Sequence, residues 1–383
     1  MKILYHHRIG SKDGQYVHIT EMVNAFEALG HEVIMVRPTV IDSHSFGGES
    51  RLIVSLKRFL PKALYELLEL AYNLVDNQSL RRAIRRHSPD FIYERYNLYF
   101  VSGVWAGKKF HLPFLLEINS PLMDERSRYN GLSVKWLARW SERYVWRNAD
   151  HIFTVTDVLA RKVAAELVPR DNISVTPNGI DRQKYMNLPS RATAKRRLGI
   201  EDYIVLGFTG FVREWHGLEQ VIDLIATRKD IPLHLMLVGD GPARIKLEQH
   251  AFNRDVAERV TFTGLIERED ILKYIAAFDV ALQPSVVPYA SPLKLFEYMA
   301  AGCSIVAPDT ENIREILSHE VNALLFATED INALSAQVER LVFEPALRER
   351  LGEAARQTIN ERDLTWIANA ESVLAVAHRL LSK

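Results

Sequence analysis

The stretch Asp279–Pro308, DVALQPSVVPYASPLKLFEYMAAGCSIVAP, decides the fold. Val280–Gln283 is an apolar run of strand length that ends at Gln283-Pro284-Ser285, and a proline-containing loop follows. Ser291-Pro292 then opens a helix, with serine expected at the N-cap and proline at the first helical position. Gly302 stops that helix, and Ser304–Ala307 is a second buried strand. Strand, helix and strand in this order make a βαβ unit, the building block of a parallel sheet.

The helix start also suggests chemistry. Free backbone N–H groups in its first turn, together with the helix dipole, favour an anion such as a diphosphate, by about 0.3–1 kcal/mol. Lys294 lies in that turn, where the dipole disfavours a cation, so an anionic partner gives a reason for it. Glu297 lies one turn along, about 5 Å further by helix geometry. Its carboxylate can accept two hydrogen bonds from vicinal hydroxyls such as those of a ribose. Taken alone, the same residues also fit an ordinary helix with an exposed Lys–Glu pair.

Short β-branched runs alternate with longer amphipathic segments on both sides of this unit. Before it, strands are expected at Lys2–Tyr5, His31–Val36, Phe91–Tyr93, Phe114–Ile118, His151–Val155 and Ile173–Thr176, with a helix over Val17–Leu29. After Pro177-Asn178-Gly179 the pattern restarts, with strands at Ile204–Thr209, His234–Val238, Val260–Phe262 and Ala323–Phe326. The polar segment Asp181–Lys195 reads as a linker. The expected division is an N-terminal domain over 1–183 and a C-terminal domain over 184–363. Residues 364–383 form one amphipathic helix that either closes the second domain or returns to the first. The fold class is α/β, two doubly wound domains whose ligands sit at the carboxyl ends of the strands, across a cleft.

Composition narrows the function classes. A chain of 383 residues with 48% hydrophobic and 25% charged residues is an ordinary globular protein, long enough for two cores. Its single cysteine, Cys303, excludes an intramolecular disulfide framework and reads as a buried structural thiol in a reducing compartment. The N-terminal MKILYHHRIG is a first strand rather than a signal peptide, and no run of about 18 apolar residues spans a bilayer. The expected location is the cytoplasm, with association to a membrane surface left open. Net charge is zero, yet residues 1–185 carry 26 Lys+Arg against 20 Asp+Glu, so the front half is basic.

Two basic segments rich in apolar residues, 51–86 and 126–147, fit an anionic membrane surface as a partner. They equally fit helices that pack on a sheet and expose arginines to water. Nucleic acid is set aside, because overall charge is neutral and no recognition motif is present.

The segment SPLKLFEYMAAG at Ser291 resembles the family-4 retaining glycosyltransferases of the GT-B fold, in the branch whose motif reads S-P-x-K-L-x-E-Y-M-A-x-G. GHEVIMV at Gly30, PNGID at Pro177, FTGFVREWHGLE at Phe208, VGDGP at Val238 and FTGLI at Phe262 match the same family in order, over roughly residues 1–380. The resemblance implies transfer of a sugar from a nucleotide diphosphate sugar to a glycan or lipid-linked acceptor, with retention. Cell-surface polysaccharide or glycolipid synthesis is the implied setting. No cofactor and no metal are implied, and the Asp-x-Asp metal motif of the other main glycosyltransferase fold is absent from the sequence. Glu297 matches the family's second glutamate, which holds the donor ribose. Tyr289 stands where the first glutamate, a donor-sugar contact, would fall.

The implied donor-binding set is Gly210, Arg213, His216, Gly239, Leu265, Ser291, Pro292, Leu293, Lys294 and Glu297. Arg213 offers a guanidinium fork to the diphosphate. His216 stands where the family usually has lysine, and protonation would strengthen its phosphate contact. Trp215 is expected to pack against the domain edge rather than to stack on a ligand. Gly239 and Gly241 allow close backbone approach or mark a plain turn, and Leu265 presents backbone groups to the base. On the acceptor side stand Gly14, His18, Glu117 and Asn119. The candidate catalytic residues are Arg213, Lys294, His18 and Asn119. Two alternatives stay open: a nucleotide-sugar 2-epimerase of the same architecture, and a non-catalytic glycosyltransferase-like subunit.

Overall fold

The computed structural model describes residues 1–10, 14–37, 60–129, 131–328, 330 and 332–382. Among these described residues twelve strands form two sheets of six, all parallel. In the first, β1 (Lys2–His6), β2 (Glu32–Val36), β3 (Phe91–Arg95), β4 (Phe114–Ile118), β5 (His151–Thr154) and β6 (Ile173–Val175) lie in the order β2-β1-β3-β4-β5-β6. In the second, β7 (Ile204–Thr209), β8 (Leu233–Val238), β9 (Val260–Phe262), β10 (Val280–Leu282), β11 (Ser304–Pro308) and β12 (Leu324–Phe326) lie in the order β12-β11-β10-β7-β8-β9. Every strand anticipated from the sequence is present, because helices cover both faces of each sheet and leave near-continuous apolar runs. The α/β class and the pair of Rossmann-like sheets are as expected.

The chain divides into two compact units. One comprises Met1–Pro177, Tyr289–Ser291 and Trp366–Lys383; the other comprises Asn178–Pro288 and Pro292–Thr365. The final helix, Trp366–Leu381, belongs to the first unit and packs on the helix Gly14–Ala28. Trp366 meets the His18 ring edge-on, with centroids 4.9 Å apart.

The segment Asp181–Lys195 is not an open linker. It folds into the helices Arg182–Tyr185 and Arg191–Leu198, each started by a side chain, Asp181 and Ser190, that accepts a first-turn N–H. Within the same unit, Lys195 donates to Asp279 over 2.9 Å. A run that looks solvated in sequence is thereby capped and pinned.

Among the described residues no helix is long and apolar enough to cross a membrane. Of the basic segment 51–86, residues 51–59 lie outside the described residues. Cys303 is buried, and burial pushes its thiol up to about 12, so it is held unreactive inside the second core.

Candidate functional site

In the second unit the sequence Pro292–Gly302 forms a helix over Leu293–Ala300. It starts one residue later than expected. Pro292, with φ −69° and ψ 119°, is still extended and is itself the N-cap, and its side chain has no acceptor with which to cap the helix. Ser291 is therefore not the N-cap; it falls in the first unit. Proline's fixed φ suits either position, so the one-residue error costs nothing in geometry. Leu293 begins the helix and is half-buried.

Buried Tyr298 on this helix accepts the N–H of Thr209 over 2.8 Å, which fixes the end of β7 against it. The chain then turns at Gly210, φ +118°, and Gly239, φ +136°, turns beside it after β8. A methyl on Gly239 would stand 2.2 Å from the Gly210 carbonyl oxygen, and one on Gly241 would stand 2.2 Å from that of Val212. Of the two readings of these glycines, the close approach is the one found, and what approaches is the neighbouring loop's backbone. The loops are joined by Gly210 N–H to Val238 O and Val212 N–H to Asp240 O, both 2.9 Å.

Lys294 lies under this junction. Its Nζ is 3.6 Å from the centroid of the Phe208 ring, and a methyl on Gly210 would stand 3.4 Å from it. Burial lowers its ammonium to about 7, and the Glu297 carboxylate only partly offsets that. Glu297 is buried and forms an ion pair of 2.5 Å with the half-exposed Arg268. Sequence reasoning missed Arg268. No local pattern announces a pairing across 29 positions, and only the fold brings the segment after β9 to this helix.

Arg213 and His216 lie in the turn after β7. Arg213 is exposed, with its guanidinium 4.9 Å over the Phe211 ring. Its backbone N–H donates to His216 Nδ1 over 3.1 Å, which leaves the imidazole proton on Nε2. Burial, with Lys294 and Arg213 nearby, lowers His216 to about 3. The imidazole is therefore neutral, and the strengthening by protonation expected from sequence is not available at ordinary pH. The Trp215 indole is half exposed and lies across the His216 ring at 4.0 Å. Leu265 follows Gly264 and is 57% exposed, so it is not part of the core.

The first unit gathers its polar residues at the carboxyl ends of β1, β3 and β4. Glu117 accepts from Tyr93 Oη at 2.6 Å and Arg95 Nη1 at 2.7 Å, and lies 3.0 Å from His18 Nε2. Burial opposes its charge, but His18, Arg95 and Tyr93 hold its carboxyl down at about 2. Glu117 is thus a fully engaged carboxylate rather than a free base. Asn119 is half-buried at the strand's end, and among the described residues its side-chain oxygen has no hydrogen-bond partner. Gly14 is the first residue of the helix that carries His18. Tyr289 donates to Glu125 over 2.5 Å, and its carbonyl accepts from Thr156 over 3.0 Å. Where the resemblance places a glutamate, this chain has a tyrosine tied to its own fold.

A second cluster was not anticipated. His6 reaches Glu94 with Nδ1 at 2.7 Å and Asp76 with Nε2 at 3.0 Å, and Ser102 donates to Asp76 over 2.5 Å. Burial opposes the imidazolium, yet the two carboxylates hold it up to about 9, while burial raises Glu94 to about 7. Gly103 is required here, because a methyl would stand 1.9 Å from Glu94 Oε2. The neighbouring His7 is buried and lowered to about 4. Two adjacent histidines of opposite character could not be told apart in sequence.

Alpha-D-kanosaminyltransferase of Streptomyces kanamyceticus is 27% identical over 227 residues, covering 57% of this chain and 58% of the relative. Lipopolysaccharide core biosynthesis glycosyltransferase LpsD of Rhizobium meliloti is 29% identical over 219 residues, covering 57% of this chain and 60% of that protein. The chain therefore spans little more than half the length of the curated relatives it matches. A crystal structure of Anabaena Alr3699/HepE in complex with UDP superposes with a TM-score of 0.75 at 19% identity, covering 99% of this chain and 100% of that one. That likeness shows the fold. Residues 13–179 match the glycosyl transferase 4-like domain and residues 190–358 match glycosyl transferases group 1, and these two matches, one in each half of the chain, place it in the glycosyltransferase group 1 family with the GT-B fold.

Proposed function

We propose that this chain transfers a sugar from a nucleotide diphosphate sugar to a glycan or lipid-linked acceptor, with retention at the anomeric carbon, in the synthesis of a surface polysaccharide or glycolipid. The observation that carries the proposal is Lys294 beside Glu297. A lysine lowered to about 7 by burial is short of negative charge, and a carboxylate one turn away suits vicinal hydroxyls. A diphosphate ester of a ribonucleoside supplies both partners. UDP in the Anabaena complex supports this class of ligand.

In this reading Glu297 holds the ribose, exchanging Arg268 for hydroxyl donors. Lys294, Arg213 and the Nε2–H of His216 bind the diphosphate, and Gly210, Gly239, Leu265 and the Pro292–Leu293 turn supply backbone around the nucleotide. Ser291 leads into that turn. As the bond from the anomeric carbon to the diphosphate oxygen breaks, negative charge grows on the leaving group, and cations already in place stabilise it. The acceptor hydroxyl forms the new bond on the same face, and its proton passes to the leaving diphosphate. We assign the acceptor to the first unit, near Gly14, His18 and Asn119, with Glu117 holding His18 in place. The side-chain cations serve without a metal, so turnover should survive a chelator.

Incubation with a panel of nucleotide sugars, with and without membrane extract, tests the reading. Free nucleotide should appear with one donor and increase when the acceptor-bearing extract is added. Product without any acceptor would instead indicate an epimerase, and binding without slow hydrolysis a non-catalytic subunit. Substituting Glu297→Ala should raise the donor KM and lower kcat/KM by roughly 10- to 100-fold, the worth of hydrogen bonds to a charged group. Near-normal donor kinetics would sink the assignment.

A further inference from the structure

The helix Lys135–Arg147 carries two parallel rows on its outer side. Lys135, Arg139, Arg143 and Arg147 recur every fourth residue, and Trp136, Trp140 and Tyr144 recur beside them. At 3.6 residues per turn both rows stay on one face. The opposite face, including Leu137, Ala138, Val145 and Trp146, is buried. Trp146 is 1% exposed, whereas Trp136 is 72% and Trp140 44% exposed. The Trp140 and Tyr144 rings stack, with centroids 5.4 Å apart and planes 19° apart, so the aromatic row is ordered.

A second amphipathic helix adjoins the first at its N-terminal end. Glu66, the buried residue of helix Lys62–Ala71, accepts the N–H groups of Ser133 at 2.7 Å and Val134 at 2.9 Å. Leu64, Leu67 and Leu68 of that helix are exposed. Apolar side chains from two distant parts of the sequence thus lie on helices joined through one carboxylate. Not every cation is free. Arg143 pairs with Glu166, and Arg147 donates to the Glu166 carbonyl. Among the described residues Lys135 and Arg139 have no ion pair. Free cations select an anionic partner, and exposed indoles select one that also has an apolar layer.

We propose that this face docks the chain on an anionic lipid bilayer, with Trp136 and Trp140 at headgroup depth and Lys135 and Arg139 on lipid phosphates. The proposal is independent of sugar transfer. It is tested by flotation of the full chain with phosphatidylcholine vesicles, with and without phosphatidylglycerol. Binding should require phosphatidylglycerol, weaken with salt, and shift tryptophan emission to the blue. Reversing charge with Lys135→Glu and Arg139→Glu should weaken binding at least 25-fold, from roughly fivefold per lost cation. Trp136→Ala with Trp140→Ala should weaken it on the order of tenfold and abolish the shift. Both variants should keep the parent's unfolding temperature, because the four side chains are exposed. Failure of the parent to bind phosphatidylglycerol vesicles, equal binding to neutral vesicles, or unchanged binding by either variant would overturn the proposal. Heparin binding as tight as vesicle binding, with no effect of the tryptophan substitutions, would assign the face to an acidic polymer instead and overturn it equally.

Discussion

At the carboxyl end of the first sheet, His6 stands between Asp76 and Glu94, and Glu117 lies among His18, Arg95 and Tyr93. At the carboxyl end of the second, Lys294 faces the ring of Phe208, and burial leaves its ammonium at about 7. Both edges hold buried titratable groups at the place where parallel sheets bind ligands. The first edge pairs its charges internally, so His6 is raised and Glu117 lowered, each toward its ionised form, although burial still holds Glu94 up at about 7. The second leaves a cation short of counter-charge. A matched network holds a fold together, whereas an unmatched cation marks where a ligand's charge belongs. The nucleotide reading therefore rests on the second edge, and the first edge's histidines and acids position one another.

The largest effect should come from breaking the matched edge. His6→Asn takes away the cation that Asp76 and Glu94 share, leaving Asp76 ionised without it and Glu94 protonated, and should cost about 3–5 kcal/mol in urea denaturation at neutral pH. The sign with pH follows from the raised value. Stability from His6 is fully present below about 6.5 and is lost as pH rises through about 9. Over that window the parent should lose up to about 3 kcal/mol, and the variant should lack this His6-dependent component. An identical decline in both would show that His6 is not the group that titrates.

Glu117→Gln is the next test, because it weakens the second matched cluster and keeps the shape. The expected cost is about 2–3 kcal/mol, since Arg95 is left buried with a neutral partner. Here the folded value is depressed. The contribution is present above about 4.5 and disappears as pH falls through about 2, so the variant should lose less stability on acidification. Nucleotide affinity measured by calorimetry should not change, because the residue belongs to the other unit. A tenfold loss of affinity would erase the distinction drawn between the edges.

Much of this was legible in sequence, for a physical reason. Strands buried on both faces, such as Leu233–Val238, are continuous apolar runs, and their bounds differ from expectation by a residue or two. Lys294 and Glu297 were legible because helix periodicity alone sets their spacing. The helix start was misplaced by one residue because Ser-Pro suits two cap registers equally, and the structure uses Pro292. Arg268 on Glu297 and Asp76 on His6 were invisible, since each pairing spans tens of residues and depends on loop paths that periodicity does not encode.

The smallest effect is also the most discriminating, because its sign should reverse. If Lys294 is a poorly compensated cation, Lys294→Met should leave the fold unharmed or stabilise it by about 1 kcal/mol, since methionine has nothing to desolvate. Substitutions at the matched edge all destabilise. The same change should weaken binding of the cognate nucleoside diphosphate about tenfold, or about 1.4 kcal/mol. With Lys294 near 7 in the free protein, a bound diphosphate raises it, so binding takes up a proton. Affinity of the parent should therefore fall as pH rises above about 7, by at most about tenfold per pH unit, and the Met variant should lack that component of the slope. Calorimetry in buffers of different ionisation enthalpy reads the proton directly. A destabilised Met variant would place Lys294 with the matched network, as would binding that takes up no proton, and the second edge would then differ from the first only in its residues.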